Sequence, residues 1–264
     1  MNLKYLLGAP LIIPCLPILY LQGKRIRKEV PELPEAVHPS GLATPDQLKS
    51  DRPFRLITIG ESTIAGVGVQ THEEGFSGTI AKELAQQLGR PVSWRVYAKS
   101  GYTAKRKTFK LVPKIKEKEL DLILIGTGGN DAFHLTTPQA WRQAIHELIQ
   151  SIREKFPETP VAFLNMPPIK TFPAFTSLIK FSIGNLVEIL GEELEKITNA
   201  YPKVYYNAEI ISPKGWPKKL GIEAAENDFF SDGVHPSKLT YQLWAKDFCQ
   251  YMVKEKELWH TLKE

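Results

Sequence analysis

Ser62 stands in a Gly-Glu-Ser sequence directly after a short apolar run, and its hydroxyl is a candidate nucleophile. A serine hydroxyl is weak at neutral pH unless a base removes its proton, and imidazole has a pKa suited to that task. His235 is the candidate base. Asp232, three residues earlier in a turn-forming Asp-Gly sequence, is placed to bond the second ring nitrogen and fix its tautomer. These three side chains predict nucleophilic attack on an acyl carbonyl.

Attack on a carbonyl produces a negatively charged oxygen that needs donors already in position. Three donors are candidates for this oxyanion hole: the backbone N–H groups of Ser62 and Gly101, and the side-chain amide of Asn130. Gly101 suits this position because a side chain there would crowd the oxygen. The sequence therefore supplies a nucleophile, a base with its orienting acid, and an oxyanion hole.

Each of these residues, taken alone, is also typical of a purely structural role. Ser62 is a common type of helix or turn cap, and Asn130 and Asp232 are common turn residues. His235, just before Pro236, is compatible with a helix entry. If all four roles were purely structural, four unrelated capping or turn residues would lie by chance on loops at the same end of a sheet. We therefore expect these residues to form one catalytic site.

The candidate residues follow strands in a chain that alternates strands with helices. The predicted strands are Phe54–Ile59, Val92–Ala98, Leu120–Ile125, Val161–Met166 and Val204–Tyr206. The predicted helices are Phe76–Leu88, Ala104–Glu117, Pro138–Lys155, Leu178–Ala200 and a last one with Pro236 in its first turn. This alternation predicts a parallel sheet with helices on both faces and a ligand site beyond the carboxyl ends of the strands. Ser62, Gly101 and Asn130 follow the first three strands.

The four motifs together resemble those of the SGNH (GDSL-like) hydrolase family, named for its Ser, Gly, Asn and His. The counterparts here are Ser62, Gly101, Asn130 and His235, with Asp232 supplying the family's Asp-x-x-His. The resemblance covers about residues 54–252. It implies a three-layer αβα, flavodoxin-like open sheet of about five parallel strands and a Ser-His-Asp esterase site. Where the family has Gly-Asp-Ser this chain has Glu61, which we interpret as a structural variant with no proton-transfer role.

The first part of the chain differs from the rest in composition. We divide the chain into an apolar segment with a basic flank (residues 1–28), a Pro-rich linker (29–53) and an SGNH hydrolase domain (54–264). Residues Tyr5–Leu21 are uncharged, and Lys24, Arg25, Arg27 and Lys28 follow. The run is short for a membrane span and contains three prolines, so an anchor, an interfacial segment and an arm packed on the protein's own surface all stay open.

Charge and motif content exclude several other function classes. The net charge of +5 is spread over interspersed acids and bases, as in residues 114–119, so no basic stripe for nucleic acid is predicted. The histidines and the two cysteines lack metal-ligand spacing, and no phosphate-binding glycine loop occurs, so we expect neither a cofactor nor a metal.

The sequence thus favours a serine ester hydrolase of carboxylesterase, lysophospholipase or thioesterase type. The apolar, Pro-interrupted segment of residues 166–181 is a candidate acyl-binding groove or a cover for the sheet, and with the N-terminal segment it favours a lipid or other acyl ester. The alternatives are a non-catalytic flavodoxin-like binding or membrane-interaction module and an acyltransferase that uses the same site. The basic flank predicts a membrane-associated protein with its domain on the cytoplasmic face, the alternative being a soluble cytoplasmic one; the oligomeric state stays open.

Overall fold

A computed structural model describes residues 2–211, 215–216 and 222–264. It contains one six-stranded sheet with strand order β1-β3-β2-β4-β5-β6. The strands are β1 (Ser40–Ala43), β2 (Phe54–Gly60), β3 (Val92–Ala98), β4 (Leu122–Ile125), β5 (Val161–Phe163) and β6 (Val204–Tyr206). All neighbouring pairs are parallel except β1 with β3.

Helices cover both faces of this sheet. They are α3 (Phe76–Leu88), α4 (Ala104–Lys110), α5 (Gly129–Phe133), α6 (Pro138–Lys155), α7 (Ser177–Thr198), α8 (Lys238–Lys254) and α9 (Lys256–Lys263), preceded by the N-terminal helices α1 (Leu3–Ile12) and α2 (Leu16–Glu29). The core on one face joins Ile57 and Ile125 of the sheet to α4, α6 and α7, and the core on the other joins Leu56 and Leu124 to α3, α8 and α9. The predicted three-layer αβα class is confirmed.

The central strands are apolar throughout because they are covered on both sides. All four residues of β4 are buried, and β2 alternates Leu56 and Ile57 between the two cores. Continuous apolar runs of this kind are expected for parallel strands between two helix layers.

Several predicted boundaries differ from the structure, and three of the differences lie near a proline. The predicted strand to Met166 ends at Phe163, with Pro167 and Pro168 in the loop that follows. The helix predicted over Ala104–Glu117 stops at Lys110 and gives way to a short 3₁₀ turn that contains Pro113, since proline cannot continue a helix. Pro236 was predicted in the first turn of the helix that is α8 in the structure, but it lies before that helix. Ser237 is the N-cap of α8, and its hydroxyl accepts the backbone N–H of Thr240.

The N-terminal segment is helical despite its prolines. A 3₁₀ turn at Ile13–Cys15 joins α1 to α2, and Pro14 and Pro17 sit at the starts of the turn and of α2, where a missing N–H costs little. Among the described residues, one helical stretch, Leu3–Glu29, is long and apolar enough to cross a membrane, with a mean hydropathy of 1.7 over its most apolar part.

Part of the segment predicted as a linker is fixed to the domain. Ser40–Ala43 form the antiparallel edge strand β1. Upstream of β1, the backbone N–H groups of Ala36 and Val37 donate to the carbonyl oxygens of Ala65 and Gln70, at 2.9 and 3.0 Å. The chain therefore crosses the loop after β2 before it joins the sheet.

Candidate active site

The loops after β2, β3 and β4 meet at the carboxyl ends of these strands. The backbone N–H of Lys99 donates to Gly60 O at 3.2 Å, which joins the loop of Gly101 to the loop of Ser62. The Asn130 amide, at the start of α5, lies 2.9 Å from a carboxylate oxygen of Glu61 and 3.5 Å from Tyr102 O. The structure thus brings the neighbours of Ser62, Gly101 and Asn130 into direct contact.

The fourth loop, between β6 and α8, brings His235 to the same edge of the sheet. The hydroxyl of Tyr241, on α8, donates to Val67 O in the loop after β2 at 2.7 Å, and both residues are buried. Pro236, next to His235, lines a pocket that Glu61 and Thr63 also line. Glu61 and Thr63, on either side of Ser62, therefore line the same pocket as Pro236, which follows His235.

Asp232 and His235 form a compact local pair. Asp232 Oδ2 lies 2.7 Å from His235 Nδ1, while Oδ1 accepts the backbone N–H groups of Val234 and His235 at 2.8 and 2.6 Å. Burial raises the pKa of Asp232, but the side-chain and backbone hydrogen bonds from His235 outweigh it and leave this pKa below its usual value. Because an ionised carboxylate only accepts hydrogen bonds, Nδ1 must carry the proton, and the neutral ring keeps a lone pair on Nε2.

Gly101 is required here by its backbone. It has φ of +79°, in the left-handed region that glycine enters without strain. A Cβ at Gly101 would meet no atom within 4 Å, so in this structure the backbone dihedral is what selects glycine. The positive φ is a reason for the glycine that its position in the sequence does not reveal.

Glu61 is buried and ties the loop after β2 to α5. Its Oε1 accepts the backbone N–H of Gly129 at 3.0 Å, and its Oε2 accepts the Asn130 side-chain amide at 2.9 Å and the Asn130 backbone N–H at 3.3 Å. A Cβ on Gly129 would lie 2.8 Å from Glu61 Oε1, so the glycine permits this close approach. The acid interpreted as a structural variant therefore holds the side chain of the candidate oxyanion donor.

Lys107 lies behind Glu61 and is fully buried. Its Nζ donates to Thr127 Oγ1 at 2.8 Å, to Tyr102 O at 2.9 Å and to Glu61 Oε2 at 3.5 Å. All three ammonium protons therefore have acceptors, as a buried cation requires. The pair joins α4 to the loops after β2, β3 and β4.

Asp131 is a second buried acid in this cluster. Its carboxylate oxygens accept the backbone N–H of Ala104 at 3.0 and 3.2 Å, and this donor is the first residue of α4. Burial raises the pKa of Asp131 to about 6, with Lys107 acting in the opposite direction and Glu61 in the same direction. Neither Asp131 nor Lys107 was among the site residues predicted from the sequence.

A narrow pocket opens beside the Ser62 loop. Its walls include Glu61, Thr63, Pro167, Phe172, Trp216 and Phe230 and are mostly apolar. The ring of Phe172 packs on Phe230 and Phe175, with centroids 5.3 Å apart in each case. The segment after β5 thus contributes to a pocket next to the Ser62 loop, as one of its two predicted roles requires.

His134 lies close to Asn130 in the sequence and in the structure. Its side chain is exposed, and its Nδ1 lies 2.7 Å from Asn130 O.

Comparison with known proteins gives a family and a fold. The sequence matches the GDSL-like Lipase/Acylhydrolase family over residues 58–243. No match was found among curated protein sequences.

Solved structures with the same fold share little sequence with this chain. The lipase Lip_vut3 from a goat rumen metagenome is 20% identical, with 74% of this chain and 95% of that chain covered and a TM-score of 0.54. The family 3 carbohydrate esterase of Clostridium thermocellum is 18% identical, with 78% and 98% covered and a TM-score of 0.56. The lipase/acylhydrolase of Enterococcus faecalis is 18% identical, with 77% and 96% covered and a TM-score of 0.54. The family match spans most of the chain and includes Ser62, Gly101, Asn130, Asp232 and His235, and the chain belongs to the GDSL-like lipase/acylhydrolase family.

Proposed function

We propose that this acylhydrolase is a serine ester hydrolase with Ser62 as nucleophile, His235 as base and Asp232 as the acid that orients the base. The observation that carries the proposal is the 2.7 Å contact between Asp232 and His235 Nδ1, which leaves Nε2 free to accept a proton. Nε2 takes the proton of the Ser62 hydroxyl as its oxygen bonds the carbonyl carbon, and then protonates the departing alcohol. Water repeats the sequence on the acyl-serine and releases the acid. In unliganded enzymes such catalytic hydrogen bonds are often long and tighten when substrate binds.

The oxyanion formed in each step would be held by the backbone N–H groups of Ser62 and Gly101 and by the Asn130 amide. One N–H of that amide is fixed by Glu61 at 2.9 Å, and the other has only the weak 3.5 Å contact with Tyr102 O. A negatively charged oxygen is a much stronger acceptor than a carbonyl at that distance. Glu61 would therefore orient Asn130, and the developing charge would engage the second N–H.

We further propose that the substrate is an acyl ester with an apolar acyl group, such as a lipid or lysophospholipid. The pocket walls formed by Phe172, Trp216 and Phe230 support an apolar group beside the nucleophile loop. Residues 1–28 would attach the hydrolase domain, residues 54–264, to the cytoplasmic face of a membrane, since basic residues follow the apolar helix.

The test of the reaction is a panel of p-nitrophenyl esters of short and long acyl chains, assayed with wild type and Ser62→Ala in parallel. Ser151→Ala, on the surface of α6, is the matched control. We expect hydrolysis with wild type and the control and none with Ser62→Ala. Equal turnover by Ser62→Ala contradicts the assignment. Acyl transfer to an added alcohol without release of free acid would favour the acyltransferase alternative.

The test of attachment is fractionation of cells that express the full chain or a chain lacking residues 1–28. The full chain should sediment with membranes, and the shortened chain should be soluble and hydrolyse the short-chain ester. A full chain found in the soluble fraction contradicts attachment, and digestion of the domain by protease added to intact cells contradicts the cytoplasmic side.

A further inference from the structure

The N-terminal helices present a large apolar surface to solvent. We call this surface the outer face. Its residues, all between 39% and 70% exposed, are Leu3, Leu6, Leu7, Leu11, Ile13, Ile18, Tyr20 and Leu21. Soluble proteins rarely leave so many large apolar side chains together in water, and such patches mark binding surfaces.

The opposite side of the same helices is docked on α7. Tyr5, Leu19 and Ile26 pack against the core that α7 helps to form. The uncharged stretch Tyr5–Leu21 is apolar around the helix and is covered on only one side, so its other sides require a second apolar environment.

Polar contacts fix both ends of the docked segment. The Asn2 amide donates to Glu193 Oε1 at 3.0 Å, and both side chains are buried. At the other end, the Thr176 hydroxyl donates to Gln22 Oε1 at 2.7 Å. The segment therefore runs antiparallel to α7 along its length.

Docking along α7 is incompatible with crossing a membrane. A spanning helix of 20 residues would carry its first residue about 30 Å from its last, to the side of the bilayer opposite the domain. The contact between Asn2 and Glu193 instead keeps the start of α1 on the domain. Lys4 also pairs with Glu192, and this ion pair would have to break for α1 to cross the bilayer.

The apolar surface continues from the outer face toward the candidate active site. Leu135 and Phe181 are exposed and border the same groove as Leu11 and Ile12. Phe133, also exposed, ends α5, the helix that carries Asn130. The exposed apolar residues therefore extend from the outer face to the helix that carries Asn130.

Charge identifies the partner of this surface. Lys24, Arg25, Arg27 and Lys28 are exposed and follow the outer face directly, and with Arg25 paired to Glu29 the cluster keeps a net positive charge. Apolar side chains next to clustered basic ones match the acyl boundary and the anionic headgroups of a bilayer surface.

We propose that α1 and α2, still docked on α7, lie in the surface of an anionic lipid bilayer without crossing it and hold the α5 side of the site against the lipid. The binding mode stands independently of the proposed esterase activity. Its link to a lipid substrate rests on the proposed function.

The first experiment measures flotation of the full chain with phosphatidylcholine vesicles that contain or lack phosphatidylglycerol. Leu7→Glu/Leu11→Glu should lower the bound fraction by roughly tenfold or more, because both side chains would enter the acyl boundary. The control, Leu42→Glu/Leu48→Glu, makes the same change at similarly exposed positions outside the outer face and should bind like wild type. Equal loss in both variants, or equal binding to both vesicle types, overturns the proposal.

The second experiment distinguishes lying from spanning. In a Cys15→Ser/Cys249→Ala background, Lys4→Cys/Glu192→Cys should react with a short bis-maleimide on vesicles, whereas Lys105→Cys/Glu192→Cys should not be linked. If the helix spans, the Lys4→Cys/Glu192→Cys pair will not be linked, and this overturns the proposal. Turnover of a soluble short-chain ester, measured on all variants, reports separately on the proposed function and should not change.

Discussion

Two carboxylates at the site each orient a catalytic candidate, and they do so in opposite ways. Asp232 holds His235 within a four-residue turn, and every hydrogen bond that the structure shows to this carboxylate comes from residues 234 and 235. Glu61 contacts the side chain of Asn130, 69 positions away in the chain, and the backbone of Gly129, 68 positions away. Glu61 is also paired with Lys107, 46 positions away. The candidate base is thus positioned by local contacts, and the candidate oxyanion donor is positioned by the tertiary fold.

This difference predicts that changes in activity and changes in stability come from different residues. A change at the His235 turn should leave the packing of the sheet intact, because the ring keeps 23% of its side-chain surface exposed and its partner is only three residues away. A change in the Glu61 and Lys107 pair leaves a buried charge without its partner. Substitutions in the two regions should therefore have separable effects, which the following experiments test.

The largest expected effect is on the proton-transfer unit. Ser62→Ala and His235→Ala should each lower kcat by a factor on the order of 10⁶, with the double variant little worse than either, because the residues act as a unit. The free energy of unfolding, measured in urea, should change by less than about 0.5 kcal/mol in each variant. A large loss of stability in either variant would contradict the local character of this half of the site.

Asp232→Asn should lower kcat by about 10⁴, because the amide no longer holds the tautomer with a free Nε2. The variant should unfold at a somewhat lower urea concentration, because it loses the stabilisation that goes with the lowered pKa of Asp232. An unchanged kcat in Asp232→Asn, measured with a short-chain ester, would remove Asp232 from the role of orienting acid.

Lys107→Met should destabilise the protein by about 3–5 kcal/mol, because it strands the Glu61 carboxylate in the interior. Glu61→Gln/Lys107→Met should be less destabilised than the sum of its single changes, as measured in a urea double-mutant cycle. Lys110→Met, at an exposed position of the same helix, is the control. Additive effects would show that the two groups do not interact.

Asn130→Ala should lower kcat by about 10²–10³ and change KM much less, as expected for a donor that bonds the oxyanion better than the ground-state carbonyl. Asn199→Ala, at the exposed end of α7, is the control. A rise in KM alone would assign Asn130 to substrate binding.

The smallest expected effect is a pH dependence of stability from Asp131. Its folded-state pKa of about 6 lies above the ordinary value of 3.8, so the folded state binds this proton more tightly. The free energy of unfolding should therefore fall by about 2–3 kcal/mol as pH rises from 4 to 6, and not further above that range. Asp232 has a lowered pKa and the opposite slope, so the measurement is the difference between wild type and Asp131→Asn. An identical pH dependence in both would exclude Asp131 as the source.

The sequence predicted best the elements with a clear apolar pattern. β3, β6, α3 and α6 have the predicted bounds. Buried residues alternate along β3 and recur on one face of α6, and such periods can be read from a single sequence. The short helix α5 and the edge strand β1 were not predicted, because neither is long enough to show a period.

Candidate site residues can be named from the sequence where the residue type itself carries the chemistry. Ser62 and Asn130 are recognisable from their positions after strands, and His235 from its place before the last predicted helix. Lys107, in contrast, is one of several lysines in an ordinary helical pattern. Its burial depends on Thr127 and Glu61, which lie far from it in the chain, and no local signal encodes that meeting. Long-range contacts of buried charges are what the pattern of a single sequence cannot reveal.

The bonds of residues 35–37 to the loops after β2 and β3 set the length of the connection between the two parts of the chain. Glu35 accepts the backbone N–H of Ser100 at 2.7 Å, so only residues 30–34 separate the end of α2 from this contact. Even fully extended, five residues reach no more than about 18 Å. Because α1 and α2 are also docked on α7, an enzyme held at a surface by these helices would reach only the molecules directly beneath it. Diffusion in two dimensions, together with a raised effective concentration, would then set how fast it meets new substrate.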